Sequence, residues 1–210
     1  MKQLLSRALR AMALVILPLS LAGCGINAIP TKEETAKARF ADVQAQYQRR
    51  ADLIPNLVAT VQAYAQQERT VLTEVTQARA RATQVTIDPS KLTDPAAFQR
   101  FQSAQDGLSA SLGRLLAVSE RYPDLKSNQN FLALQSQLEG TENRINVTRQ
   151  DYNEAVRAYN TSLVTLPTSI WANTFYKSYK PMQMFQAAAG AQTAPTVSFE
   201  PTPAPAPASK

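Results

Sequence analysis

The sequence predicts an all-α protein, an elongated antiparallel bundle of four long helices over residues 31–186. Apolar residues of this body recur at steps of three and four, which places them on one face of each helix. The body is rich in Ala, Leu, Val and Gln, the whole chain contains six Gly, and prolines stand at the few positions where helices are expected to end. The sequence has no Gly-rich phosphate loop and no internal repeat. One helical domain of ordinary size follows.

The segment before the sole cysteine, Cys24, resembles a bacterial lipoprotein signal. Lys2, Arg7 and Arg10 precede an apolar run, 11–21, which small residues connect to Cys24. This run is shorter than the roughly 20 apolar residues that a membrane-crossing helix needs. The resemblance implies cleavage before Cys24, thioether lipidation of its sulfur, and acylation of the new amino terminus by a fatty acid such as palmitate. The alternative is an uncleaved hydrophobic helix that anchors the chain.

The charge and the cysteine content exclude several functions. Without the three basic residues of the leader, 19 Lys and Arg stand against 16 Asp and Glu, so the mature chain carries a net charge of +3. This balance does not favour nucleic-acid binding. Lipidation of Cys24 leaves no thiol for a disulfide, a metal or a nucleophile.

The first helix of the body is predicted from Thr31 to about Ala51. Thr31 and Glu34 have the spacing of a capping box. Pro55 then disturbs the helical pattern, because it has no N–H to donate and its ring clashes with the carbonyl of Ala51. Two alternatives are open: Asp52 caps a new helix, or one long helix kinks at Pro55.

A second helix is predicted from Pro55 to about Thr83, and a third from Asp94 to about Tyr122. Polar and Pro-containing residues, 84–93, connect them. Asp94 and the proline after it supply an N-cap and a first-turn residue for the third helix. The two predicted core stripes consist of Leu57, Val58, Val61, Tyr64, Ala65, Val71, Leu72, Val75 and Ala78, and of Ala97, Phe101, Ala104, Leu108, Leu112, Leu115 and Val118.

The fourth helix has the most regular pattern and is predicted from Ser127, its cap, to about Leu163, ahead of Pro167. At 1.5 Å per residue it is about 50 Å long. Its apolar positions alternate steps of three and four, the spacing of a seam that faces partner helices. This seam consists of Phe131, Leu134, Leu138, Thr141, Ile145, Thr148, Tyr152, Ala155 and Tyr159. Because the connections are short, each helix returns alongside the preceding one.

The segment Ile170 to Phe185 combines aromatic residues, among them Trp171, with Lys177 and Lys180. It either lies on a lipid headgroup surface or packs as a short helix over one end of the bundle. We favour packing, because the apolar positions are too few and too scattered for strong membrane binding. Residues 187–210 are rich in Ala, Pro and Thr and are predicted to form a disordered or extended tail.

Charged residues of the helices are the best candidates for a chemical site. They are Glu139, Glu142, Arg144, Arg149 and Asp151 on the last helix, and Arg49, Arg50, Asp52, Glu68 and Glu120 elsewhere. The chain has no histidine, which the Glu-x-x-His pairs of di-metal bundles require, although Glu139 and Glu142 could still hold a hard cation. We favour solvated helix faces with a few interhelical ion pairs. We therefore assign no catalytic, cofactor-binding or metal residue, and lipidated Cys24 is the one predicted site.

Several sequence blocks resemble the LemA family. YQRRADLIPNLV, TEVTQARA and the run from LGRLLAVSERYPDLK to NEAVRAYN occur in order, and the resemblance covers roughly Gln44 to Phe185. It implies a membrane-tethered, largely extracytoplasmic helical bundle with no established enzymatic activity. Members usually begin with an uncleaved transmembrane helix, whereas this chain has a lipoprotein-type signal. Gln67 stands where the family commonly has a His, so no imidazole role is carried over.

Together these observations predict a lipid-anchored scaffold or adaptor of the bacterial cell envelope that faces the extracytoplasmic side, on the outer membrane rather than the inner one in a Gram-negative cell. Its partners are the bilayer, through acylated Cys24, and an unidentified envelope protein; self-association is left open. No enzymatic activity, cofactor or nucleic acid is expected. The alternative is a metal-dependent binder or enzyme that uses the carboxylate and Arg cluster. The predicted organisation is a cleaved signal over 1–23, a linker over 24–30, the helical body over 31–186 and the tail over 187–210.

Overall fold

The structure, a computed structural model, describes residues 26–186, and within them the chain is helical and contains no strand. This confirms the all-α class. Cys24, the leader before it and the tail 187–210 lie outside the described residues. The α-helices are α1 Ala28–Tyr64, α2 Arg69–Gln84, α3 Pro95–Ser119, α4 Pro123–Lys126, α5 Gln129–Val164 and α6 Thr168–Thr174, with a 3-10 helix at Pro89–Lys91.

The break between the first two helices falls at residues 65–68 rather than at Pro55. Helix α1 passes through Pro55 without interruption, so the predicted helix end at Ala51 and the predicted start at Pro55 are wrong, and the alternative of one long helix is observed. Asp52 caps no helix. Its Oδ1 instead accepts a hydrogen bond of 2.8 Å from Gln48 Nε2.

A side chain from the neighbouring helix compensates for the missing N–H of Pro55. A proline inside a helix leaves the carbonyl four residues earlier, here that of Ala51, without its intrahelical donor. Arg79 of α2 donates from Nε to this carbonyl oxygen at 2.8 Å. Ala51 is buried, so an unpaired carbonyl there would be costly. The tertiary contact thus allows the helix to continue where the local sequence pattern predicts a disturbance.

Helix α1 begins earlier than predicted, and the capping box is not formed. The helix starts at Ala28, and the N–H of Thr31 donates to the carbonyl oxygen of Asn27 at 3.1 Å. Glu34 does not reach back to the helix start; its carboxylate pairs with Lys37 at 2.8 Å. The prediction failed because the helix extends through Pro30, which is tolerated in the first turn.

The caps of α3 and α5 are formed by side-chain oxygens. The prediction for Asp94 is confirmed, since its Oδ1 accepts from the N–H groups two and three residues later at 2.9 and 3.2 Å. For α5 the cap is Asn128 rather than Ser127. Its Oδ1 accepts from the N–H of Phe131 at 3.1 Å, the usual N-cap geometry.

Helices α1 and α5 are the two longest and run antiparallel along most of their length. Arg50 in α1 contacts Glu142 in α5 at 2.8 Å. Near the end of α1, the Tyr64 hydroxyl accepts a hydrogen bond of 2.8 Å from Asn128, which precedes the first residue of α5. A residue that lies a given number of positions after Arg50 in α1 is therefore level with the residue the same number of positions before Glu142 in α5.

Helix α2 packs against both α1 and α3 and is antiparallel to α3. Two ion pairs show this direction: Glu74 contacts Arg114 at 3.1 Å, and Glu68, just before α2, contacts Arg121, just after α3, at 3.0 Å. These pairs lie at the surface, where each contributes about 0–1 kcal/mol. The direction of the helices is therefore maintained mainly by the apolar faces between them.

The core consists of two apolar halves along the helices. One half is aromatic, with ring centroids 4.9 to 6.5 Å apart, and the other is mainly aliphatic. The predicted seam of α5 is confirmed, with Phe131, Leu138, Thr141, Ile145, Tyr152 and Tyr159 buried and Leu134, Thr148 and Ala155 half-buried. Helix α5 contributes to both halves.

After α5 the chain folds back over one end of the molecule. Helix α6 packs against α5 and α1, and an extended segment, 179–186, then returns along α5. Ala172 and Phe185 are buried, in agreement with the packing interpretation, whereas Ile170 and Phe175 remain exposed. Within the described residues, no helix combines the length and the apolarity that crossing a bilayer requires.

Candidate functional site

The side chain of Arg50 is buried in the middle of the molecule and is surrounded by polar partners. It is 1% exposed. Its Nη1 donates to Glu142 Oε1 at 2.8 Å and to Ser109 Oγ at 2.6 Å, and its Nη2 donates to Gln105 Oε1 at 2.7 Å. The guanidinium carbon lies 5.1 Å from the ring centroid of Tyr47. These contacts connect α1 to α3 and to α5.

Gln105 extends this polar layer to α2, the remaining long helix. Its Nε2 donates to the carbonyl oxygen of Ala82 in α2 at 3.1 Å. The layer lies between the two apolar halves of the core, since Tyr47 belongs to the aromatic half and Ile54, one turn beyond Arg50, belongs to the aliphatic half. A buried charge that loses its partner is strongly destabilising. The layer therefore favours the single register in which these helices meet.

Burial raises the pKa of Tyr47 to about 12, and the positive charges of Arg149 and Arg50 oppose part of this effect. The phenol is therefore protonated at neutral pH, and Tyr47 presents a neutral ring to the guanidinium. A cation over an aromatic face is attracted by the negative face of the ring, an effect that increases with desolvation. Tyr47 thus supports Arg50 without exchanging a proton.

A groove opens between α3 and α5, directly beside the polar layer. Its volume is about 460 Å³, and its lining includes Ser109 and Glu142, both of which bind Arg50. Leu112, Leu116 and Leu138 supply apolar lining, and the remaining lining residues are Gly113, Glu139 and Asn143. A Cβ atom built on Gly113 would meet no atom within 4 Å, so this side of the groove is open.

The same two helices hold an extended stretch of backbone, 182–186. Asn160 accepts from the N–H of Met182 and donates to its carbonyl oxygen, both at 2.9 Å. Asn153 contacts Phe185 in the same way, at 2.8 and 3.0 Å. Seven residues of helix span about 10.5 Å and three residues of extended chain about 10 Å. The spacing of the two asparagines therefore matches the repeat of the extended backbone.

Further side chains bind Gln186, the last residue that the structure describes. Gln102 and Arg149 both donate to the carbonyl oxygen of Gln186, at 3.1 and 3.0 Å. The guanidinium of Arg149 also lies 4.7 Å from the ring centroid of Phe185. Along α5 the stretch runs from Asn160 towards Asn153, and thus towards the groove. Asn146, a further seven residues back, occupies the same stripe of the helix.

The charged residues considered in the sequence do not form one cluster. The structure brings together Arg50 and Glu142, whereas Arg149 binds Gln186 and Glu120 pairs with Lys126. The other members are distributed over the surface: Arg49, Asp52, Arg144 and Asp151 are exposed, Glu139 accepts from Gln135, and Glu68 accepts from Arg121 and Tyr122. This distribution agrees with solvated faces and a few interhelical ion pairs.

The alternative of a metal site gains no support from this geometry. In residues 26–186, no three His, Cys, Asp or Glu side chains lie close enough together to hold a metal ion. Of the two carboxylates proposed for a hard cation, Glu142 uses Oε1 to bind Arg50, and Glu139 accepts from Gln135 at 3.0 Å. One oxygen of each carboxylate thus already has a donor.

Sequence reasoning missed Gln105, Ser109, Asn153 and Asn160. Gln105 lies on the core stripe of α3, four residues after Phe101, and a buried polar residue at such a position requires a partner. The repeat of Asn at 146, 153 and 160 follows the heptad of α5 and was visible as a pattern. The binding of this repeat to the segment 182–186 is a long-range contact, which no local pattern predicts.

Residues 26–186 therefore define an all-α protein with a buried polar layer around Arg50 and an open groove between α3 and α5. The chain belongs to the LemA family, whose family model matches residues 39–199. This match covers most of the helical body described above and confirms the resemblance seen in the sequence.

Two similar proteins are magnetosome proteins by name. Magnetosome protein MamQ 2 of Paramagnetospirillum magneticum is 26% identical over 180 residues, which are 76% of this chain and 64% of that protein. Magnetosome protein MamQ of Magnetospirillum gryphiswaldense is 26% identical over 157 residues, 67% of this chain and 58% of that protein. The chain thus spans less than two thirds of the length of these relatives.

Proposed function

We propose that this protein is a membrane-attached helical bundle of the bacterial cell envelope and acts as a scaffold or adaptor without catalytic activity. In this proposal the four long helices form one elongated antiparallel bundle, and lipidated Cys24 attaches it to the membrane on the extracytoplasmic side. Membership of the LemA family and the lipoprotein-type leader support attachment. The relatives are magnetosome proteins by name, which favours a role as one component of a larger assembly.

The observation that carries the adaptor role is the groove between α3 and α5. It combines an apolar lining with a polar border at Glu139 and Asn143, as binding sites for peptides commonly do. Ser109 and Glu142, which line the groove, both accept hydrogen bonds from Nη1 of Arg50, and these bonds restrain their positions. Such a surface suits binding better than proton transfer.

The occupant that fits best is an extended segment of a partner protein with small or apolar side chains. Further along α5, Asn153 and Asn160 already bind extended backbone through paired hydrogen bonds. Asn146 lies on the same stripe and is exposed. A partner segment bound by Asn146 and Asn143 would place its side chains over Leu112 and Leu138. Backbone hydrogen bonds then supply affinity and the apolar lining supplies selectivity.

Two glycines of α3 provide a test with a matched control. Gly113 lines the groove and Gly107 does not, yet a Cβ at either position meets no atom within 4 Å. With a photoreactive amino acid at Val147, which is exposed one turn after Asn143, irradiation of intact cells should give a discrete crosslinked partner. Gly113→Leu should abolish this adduct and Gly107→Leu should retain it. Equal adduct yields in the two variants would contradict docking in the groove.

Attachment is tested at the lipidated sulfur. Cys24→Ser should abolish incorporation of labelled fatty acid and move the protein out of the membrane fraction, because no other residue can form the thioether. In a Gram-negative host, the labelled wild-type protein should sediment with outer-membrane markers. Label that persists in Cys24→Ser would overturn the lipoprotein assignment. Stoichiometric metal in the purified protein would favour the metal-dependent alternative.

A further inference from the structure

Apolar side chains are exposed together at the end of the molecule that α6 covers. Val164 and Leu166 are each 76% exposed. Ile170 and Phe175 are 54% and 70% exposed. These four are half of the large apolar side chains exposed within residues 26–186, although they lie in a stretch of only 12 residues. Single exposed apolar residues are ordinary, whereas a group of them indicates an interaction surface.

The register of α1 and α5 places this surface beside the start of the described chain. Arg50 lies level with Glu142, and the two helices are antiparallel. Ala28 is 22 residues before Arg50, and Val164 is 22 residues after Glu142, so Val164 lies level with the first residue of α1. Cys24 is four residues before Ala28, a distance of at most about 14 Å in an extended chain.

We propose that the exposed side chains of Val164, Leu166, Ile170 and Phe175, hereafter the α6 surface, contact the lipid bilayer to which Cys24 is attached. This inference rests on the proposed lipidation and adds a second, noncovalent contact to it. Such a contact adds to the anchoring that the lipids on Cys24 already provide. It also fixes an orientation, with the long axis of α1 and α5 directed away from the membrane.

The chemistry around the α6 surface suits an interface of headgroups and acyl chains. Trp171 and Phe175 have ring centroids 5.7 Å apart, and aromatic residues are enriched at the level of the headgroups. Lys177 and Lys180 are exposed nearby and can approach lipid phosphates. The nearest acidic residues of α1, Glu33 and Glu34, contact Lys37 at 3.2 and 2.8 Å, which reduces their repulsion of an anionic bilayer.

The two faces of α6 explain how this helix can pack against the protein and also contact lipid. Ala172 is buried and Trp171 is half-buried against the core, so one face of this helix is anchored to the protein. Ile170 and Phe175 project from the remaining surface. The two interpretations of this segment in the sequence therefore describe its two faces.

The sole tryptophan of the chain, Trp171, is the reporter for the test. The full lipidated protein is reconstituted into phosphatidylcholine and phosphatidylglycerol vesicles with or without bromine on the first acyl carbons. Interfacial helices bury their apolar face about 5–10 Å into the boundary of headgroups and acyl chains, within reach of these bromines. We expect several-fold quenching of Trp171 emission by the brominated vesicles.

The variant Ile170→Ser with Phe175→Ser should still sediment with vesicles through its lipid but should lose most of the quenching. Leu132→Ser, which changes an exposed apolar residue at the opposite end of α5, should retain it. If the wild-type protein sediments with vesicles while bromine leaves Trp171 emission unchanged, the α6 surface does not contact lipid and the proposed attachment stands. Pairing of two copies through this surface would also leave the emission unchanged. In either case the inference is overturned. Failure to sediment with vesicles overturns both proposals.

Discussion

The hydrogen bond from Arg79 to the carbonyl oxygen of Ala51 gives a quantitative prediction. Arg79→Ala removes the donor and leaves a buried carbonyl without a partner, because Pro55 has no N–H. A buried acceptor left unsatisfied costs about 1–3 kcal/mol. Arg79 is itself partly accessible to solvent, and we therefore expect a loss of about 1–2 kcal/mol in the free energy of unfolding.

Pro55→Ala restores an N–H that can donate to the same carbonyl oxygen. An interior proline costs about 3 kcal/mol relative to alanine, but Arg79 already satisfies the carbonyl, so the gain from Pro55→Ala alone should be smaller. In the Pro55→Ala background, Arg79→Ala should then be nearly neutral. The double-mutant cycle should show a coupling energy of about 1–2 kcal/mol between the two positions.

Urea denaturation followed by far-UV circular dichroism measures all four proteins of this cycle. Arg81→Ala is the matched control, because Arg81 is exposed on the same helix and its change should stay within about 0.5 kcal/mol in both backgrounds. If Arg79→Ala costs the same with and without Pro55, the side chain of Arg79 does not substitute for the missing N–H, and this account of the continuous helix is wrong.

Three further changes test the polar layer, the seam and the buried phenol. Glu142→Ala should lower the free energy of unfolding by about 1–3 kcal/mol, which is less than for a fully buried pair because Glu142 is partly exposed. The control, Glu139→Ala, should lower it by under about 0.5 kcal/mol. Equal urea midpoints for the two variants would contradict this prediction. Ile145→Ala should cost about 2–5 kcal/mol and Gln137→Ala under about 0.5, as thermal melts would show. Tyr47, with a folded pKa of about 12 against an unfolded value of 10.0, contributes stability that is complete below pH 10 and is lost as the pH rises through 12. Relative to Tyr47→Phe, the wild-type protein should therefore lose about 1.4 kcal/mol by pH 11, and parallel pH profiles of the two would refute it.

The long helices could be predicted from the sequence because their signals are local. The seam of α5 repeats over about eight turns, and the Asp94 cap acts on N–H groups within three residues of itself. Arg50 also had a readable signal, since it lies between Tyr47 and Ile54 on the buried stripe of α1. A charged residue in a buried stripe predicts that a partner exists but does not say which residue it is.

The sequence by itself determined the all-α class, the core-facing stripes and the family, because helix periodicity and family motifs are written along one stretch of chain. Only the tertiary structure decided that α1 continues through Pro55, since the compensating donor, Arg79, lies on another helix. The same holds for the pairing of Arg50 with Glu142, 92 residues away, and for the binding of Phe185 by Asn153. Such contacts depend on which helix faces meet in space, and this depends on all the packed faces together rather than on any local pattern.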